Sequence, residues 1–168
     1  LEAAVKYMSS TLEFAPITVK VSTDSYDLGI SFSYDRSINN TEFTSYCNYV
    51  ITDFGGTHEV VAQQAICQYF TKEAKRLDPN SKQEISFEDC KNGLLVAVNL
   101  EHIKPEFESQ NKERVSNKFT NDDKKLIYDA IYNVMNNNGA ILKKAITYLR
   151  NVSKARQDAN KIKGVKTV

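Results

Sequence analysis

Leu94 to Leu100 reads Leu-Leu-Val-Ala-Val-Asn-Leu, with Asn99 the one polar residue. Alternate side chains of a strand point to opposite faces, so a run that is apolar at odd and even positions alike needs cover on both sides. The run therefore reads as a central strand of a sheet. Asn92-Gly93 marks its start, and beyond Glu101-His102 the chain leaves through a polar loop containing Pro105, ending on Gln110-Asn111-Lys112. A strand feeding a fixed loop is how a rigid sheet delivers a side chain to a site. Taken by itself, a loop lysine is ordinarily a solvated surface charge.

Upstream, Leu1 to about Ser9 reads as a helix remnant, and Pro16 ends the approach to a strand. Ile17, Val19 and Val21 alternate with polar residues, as do Leu28, Ile30, Phe32 and Tyr34, which predicts two half-buried strands joined by Ser22 to Asp27. A turn at Ser37 to Asn40 leads into Phe43 to Thr52, read as the third strand of a meander.

Gly55-Gly56-Thr57-His58 then reverses the chain. Two glycines permit positive φ or a close backbone approach, and Thr57 is a good N-cap for the helix that follows. The motif reads as a tight strand-to-helix turn. His58 has no nucleophile beside it and is not assigned a catalytic role. From His58 to about Leu77 the helix carries Ala62, Ala65, Ile66, Tyr69 and Phe70 on one stripe, and Asp78-Pro79-Asn80 stops it. Ser86-Phe87-Glu88-Asp89 has the form of a capped turn. Thr120 caps a further helix with Leu126, Ile127, Ala130, Ile131, Val134 and Met135 on its apolar side, ended by Asn136 to Gly139. A last helix runs from about Ala140 to Lys161 with Leu142, Ala145, Leu149 and Val152 as its seam; past Val152 the seam fades and basic residues take over.

At 168 residues this is the length of one domain. No run approaches the roughly 20 apolar residues that span a bilayer, and the start has no signal-peptide pattern. The expectation is an excerpt of a longer, soluble, cytoplasmic polypeptide with no membrane partner. Cys47, Cys67 and Cys90 are odd in number and widely spaced, which predicts reduced thiols rather than disulfides or a zinc site. From Gly139 onward eight Lys or Arg face Asp158 alone, giving +7 there and −6 for the remainder of a chain whose net charge is +1. Such an arm suits a phosphate backbone or is a solvated helix face. Lys143, Lys144, Arg150, Lys154 and Arg156 are the candidate DNA contacts.

The order Phe43-Thr-Ser-Tyr-Cys-Asn-Tyr-Val-Ile-Thr-Asp-Phe-Gly-Gly-Thr-His58, a helix, a strand opening on Gly93-Leu94, and Pro105-Glu-Phe-Glu-Ser-Gln-Asn-Lys112 resembles the transducer domain of type II DNA topoisomerases, the gyrase B family and its relatives. The resemblance covers nearly the whole chain. It implies an α+β domain like the second domain of ribosomal protein S5: a four-stranded sheet, helices on one face, a left-handed crossover, and a long protruding C-terminal helix. Residues 1–10 would be a helix remnant of a preceding ATPase domain, and 140–168 a basic helix and linker toward the DNA-cleavage region.

In that family the Gln and Lys of the loop reach the γ-phosphate of ATP held by the preceding GHKL-type domain. Carried over, Gln110 and Lys112 would bind the γ-phosphate, and Lys112 would also contribute to catalysis. Asn111 stands where Thr is usual, and the two outer residues supply the chemistry. The resemblance further implies ATP and Mg²⁺ bound mainly by the preceding domain, a DNA duplex passing through a homodimer, and a DNA-cleavage subunit as partner. Two other readings stand beside it: the second domain of a mismatch-repair ATPase of the MutL type, and a basic nucleic-acid-binding module.

Overall fold

The computed structural model describes residues 1–82, 84–108, 110 and 112–166, with 163–166 described as helix backbone only. In chain order the elements are α1 (Glu2–Met8), β1 (Ile17–Ser22), β2 (Tyr26–Tyr34), β3 (Glu42–Cys47), β4 (Val50–Ile51), α2 (Thr57–Leu77), α3 (Phe87–Lys91), β5 (Leu94–His102), α4 (Asn121–Asn136) and α5 (Gly139–Lys166). The class is α+β. The five strands form one mixed sheet in the order β1-β2-β5-β3-β4.

β5 is central, as its composition demands. It pairs antiparallel with β2 from Tyr34↔Leu94 to Tyr26↔His102, and parallel with β3 from Glu42↔Leu95 to Cys47↔Leu100. Every residue from Leu94 to Leu100 is buried. Leu94, Val96, Val98 and Leu100 enter the main core beneath α2, α4 and α5, whereas Leu95 and Ala97 pack on the opposite face with Val5 of α1. Full burial of each such side chain is worth about 1.5–3 kcal/mol, so this strand alone anchors both layers.

The structure corrects four expectations. The sheet has five strands rather than four, because Asn48 (φ 49°) and Tyr49 (φ 65°) turn the chain where a continuous strand over Phe43 to Thr52 is predicted. Two successive residues in the left-handed region are the signature of a tight hairpin, and Val50 folds back onto Cys47. The first three strands are not a meander, since β5 inserts between β2 and β3. The helices do not all share one face, because α1 covers the far side of β5. The N-cap of α2 is Gly56 at φ 137°, not Thr57, whose hydroxyl is buried without a partner among the described residues.

Other local signals hold. β1 alternates buried and exposed residues throughout. Ser86 with Asp89, and Thr120 with Asp123, form complete capping boxes on α3 and α4. Buried residues of α4 are Ile127, Ile131 and Met135, four residues apart, while Leu126 lies outside on the exposed side. Cys47, Cys67 and Cys90 are buried free thiols, and burial pushes Cys90 up to about 12. Gly93 (φ 79°) opens β5 where an added Cβ would collide with the Asp35 carbonyl oxygen and the Tyr148 hydroxyl. No helix among the described residues is long and apolar enough to cross a membrane.

Candidate functional site

Beyond β5 the chain forms a short hairpin whose tip carries Gln110 and Lys112. Phe107 and Val115 bridge antiparallel, Glu108 N–H donates to the Arg114 carbonyl (3.0 Å), and Ser116 N–H donates to the Glu106 carbonyl (2.8 Å). The buried Asn117 amide closes the base, accepting from Glu106 N–H (2.8 Å) and donating to the Lys104 carbonyl (3.2 Å). Gln110 and Lys112 are exposed, and Lys112 sits at φ 57°. A non-glycine residue in that region costs of order 1 kcal/mol and is held there by its surroundings. Asn111, part of the same sequence motif, lies outside the described residues.

The hairpin is seated on the Gly55-Gly56 turn. Val115 N–H donates to the Gly55 carbonyl (3.0 Å), Thr57 N–H donates to the Val115 carbonyl (3.1 Å), and Phe54 N–H donates to the Glu113 carbonyl (3.0 Å). A Cβ on Gly56 would collide with the Val115 carbonyl oxygen and lie 2.6 Å from the Val115 nitrogen, so the backbones meet where no side chain fits. Arg114 closes the seat from outside. Its Nη1 donates to the Phe54 carbonyl (3.1 Å), and its Nε lies 3.1 Å from a Glu108 carboxylate oxygen.

Beneath the turn runs a chain of polar groups. Thr52 Oγ1 donates to Ser45 Oγ (3.0 Å), and Ser45 Oγ donates to Glu59 Oε2 (2.5 Å). With its proton so used, Thr52 accepts from His58 Nε2 (3.1 Å), which fixes the neutral tautomer of the ring. Burial lowers the His58 pKa to about 4. Burial raises that of Glu59, against the opposing pull of the Ser45 hydroxyl and the Arg114 charge. His58 is thus a fully buried, neutral, structural histidine. Among the described residues, no group of three or more His, Cys, Asp or Glu is arranged to hold a metal ion.

The basic residues of α5 divide by helical position. Lys143, Arg150 and Lys154 are spaced seven and four apart and share one side of the helix; Lys143 and Lys154 are exposed and Arg150 is half-buried. Lys144 is exposed about 100° around the axis from Lys143. Arg156 lies on the side of the apolar seam, where it pairs with the buried Asp89. The structure therefore does not bring Arg156 together with the other four.

The family model for DNA gyrase B matches residues 1–165. The chain belongs to the DNA gyrase B family. Among curated relatives, it is 32% identical over 93 residues to the DNA gyrase B protein of Metamycoplasma arthritidis, a match spanning 54% of this chain and 14% of that protein. Among solved structures, it is similar to the 43K ATPase domain of Thermus thermophilus gyrase B (TM-score 0.82, 19% identity), covering 98% of this chain and 45% of that one. It is likewise similar to the topoisomerase IV ATP-binding domain of Francisella tularensis (TM-score 0.72, 19% identity; 93% and 43% covered). The chain thus spans less than half of these structures and about a seventh of the curated relative.

Within this gyrase B family fold, the residues that sequence reasoning misses are the supports rather than the tip. Val115, Arg114 and Asn117 carry no motif of their own. The paired glycines are the one available signal, announcing a close backbone approach without saying to what.

Proposed function

We propose that residues 1–168 are a single transducer domain of an ATP-dependent type II DNA topoisomerase, which reads the terminal phosphate of ATP bound by a preceding GHKL-type domain. The observation that carries this reading is the hairpin tip. Gln110 and Lys112 project from a braced loop, Lys112 is held in a left-handed conformation, and no carboxylate among the described residues pairs with it. A solvated surface lysine would need neither the brace nor the backbone cost.

ATP, with Mg²⁺ held mainly by the preceding domain, supplies a γ-phosphoryl group for transfer to water. Gln110 donates an amide N–H to a terminal phosphate oxygen, and Lys112 places a point charge beside the same group. As negative charge builds on those oxygens, the Lys112 ammonium stabilises it, which makes Lys112 a catalytic residue as well as a sensor. Once the terminal phosphate leaves, both contacts are lost and the loop is released, a two-state equilibrium biased by ligand.

The parallel β3–β5 pair with α2 and α3 in its crossover supports a fold like the second domain of ribosomal protein S5. α5 continues past Ser153 with its side chains mostly exposed up to Ile162, which suits a lever between the domain body and a DNA-cleavage region. In this reading the partners are the ATP-binding domain, a DNA duplex, the cleavage subunit and a second copy of the parent polypeptide, in the cytoplasm. The gyrase B family match favours it over the mismatch-repair alternative.

The test is nucleotide discrimination in the polypeptide that joins this domain to its ATP-binding domain. Gln110→Ala should weaken binding of the β,γ-imido triphosphate analogue about tenfold to a hundredfold, the value of one hydrogen bond to a charged group, and leave ADP affinity within about twofold. Equal effects on both nucleotides, or none on either, would exclude contact with the terminal phosphate.

A further inference from the structure

We infer that the Gly55-Gly56-Thr57-His58 turn is a positioning device for the Gln110–Lys112 loop, acting through the backbone contact between Gly56 and Val115. The inference rests on the nucleotide-sensing reading above and assigns to this turn a part in it.

Three observations converge. The contact is backbone to backbone, through Val115 N–H to Gly55 and Thr57 N–H to Val115, so the loop's distance from α2 is set by main-chain geometry rather than by adaptable side chains. Gly56 at φ 137° leaves room that a single methyl would remove. The turn is itself held from below by the His58–Thr52–Ser45–Glu59 chain, which fixes the first turn of α2 to β3 and to the residue following β4. Arg114 ties the outer side to Phe54. The paired arms of the hairpin, Glu106 to Glu108 and Glu113 to Ser116, are thus tied to the sheet through the turn, the kind of support that precise placement of a phosphate contact requires.

A methyl at Gly56 forces the Val115 carbonyl to move by roughly an ångström before it reaches ordinary van der Waals separation. Lys112 lies three residues from Val115, so its ammonium shifts with it. A loss confined to the terminal-phosphate contact is the signature that distinguishes a positioning role from a general loss of fold.

The experiment compares four proteins, each carrying this domain with its ATP-binding domain: wild type, Gly56→Ala, Arg114→Gln and Lys112→Ala. Gly139→Ala, where the added Cβ meets nothing within 4 Å, is the control for glycine replacement. Affinities for ADP and the β,γ-imido triphosphate are measured along with amide hydrogen exchange of Val115 and Thr57. Gly56→Ala should lower triphosphate affinity about tenfold, with ADP affinity within twofold and faster exchange at both amides. Arg114→Gln, exposed and safe for folding, should show the same pattern more weakly. Triphosphate and ADP affinities that fall together, or triphosphate affinity unchanged in both variants while Lys112→Ala loses it, would overturn the positioning role alone. Normal triphosphate binding by Lys112→Ala would overturn the nucleotide-sensing reading and this inference with it.

Discussion

Arg156 of α5 grips Asp89 of α3 with two prongs, Nε to Oδ1 at 2.8 Å and Nη2 to Oδ2 at 3.2 Å. Asp89 is 3% exposed and its Oδ2 also accepts from Ser86 N–H within the capping box. The pair therefore locks the long helix to the cap of the short one. Removing the guanidinium leaves a buried carboxylate with one fewer partner, and Arg156→Ala is expected to cost about 2–3 kcal/mol, somewhat below a fully buried pair because the arginine is partly solvated. Urea unfolding at pH 7 checks it. A loss below about 0.5 kcal/mol would mean that the carboxylate finds water instead.

That assignment separates Arg156 from the DNA candidates. Each phosphate contact contributes close to one unit to the slope of log affinity against log salt. Replacing Lys143, Arg150 and Lys154 together by Gln should flatten the slope for duplex binding by about 2–3, whereas Arg156→Gln should leave it unchanged. An unaltered slope in the triple variant would identify this side of α5 as an ordinary solvated face.

The buried histidine gives a pH prediction with a definite sign. With its pKa lowered by burial from the ordinary 6.5 to about 4, His58 stays neutral in the folded state while the unfolded chain takes up a proton. Its contribution to stability is complete above pH 6.5 and falls as pH drops toward 4, by roughly 2 kcal/mol between pH 7 and 5. The raised Glu59 carboxyl has the opposite sign and offsets part of this. Wild type is therefore compared with His58→Gln, whose unfolding free energy should vary less from pH 7 to 5 by about that amount. Identical pH profiles would show that the folded protein protonates the ring over the same pH range as the unfolded chain, so that burial does not lower its pKa.

Features with a local cause are legible in the sequence. Burial of β5 on both faces is written in its own composition, and the caps at Ser86 and Thr120 involve residues three apart. Strand order is not legible. Alternation in β2 and Phe43–Cys47 tells which side chains face inward, not which strand lies alongside, and β5 enters between β2 and β3 from far along the chain. The Asn48–Tyr49 turn escapes notice because tyrosine is an unusual occupant of the left-handed region. Charge groups Arg156 with its basic neighbours, although its helical position already sets it on the seam. At the candidate site, the motif singles out Gln110 and Lys112. The seat of their loop stays hidden, since a backbone contact between Gly56 and Val115 leaves no side-chain trace beyond the glycine itself.

If Lys112 meets the terminal phosphate, DNA-stimulated ATP turnover of the complete parent protein with its partner subunit must depend on it. Lys112→Ala is expected to lower turnover at least tenfold, about 1.4 kcal/mol of lost transition-state stabilisation, with ADP affinity nearly unchanged because ADP lacks that phosphate. Turnover and ATP-dependent strand passage that both survive the substitution would rule out the contact and return Lys112 to the status of a surface charge.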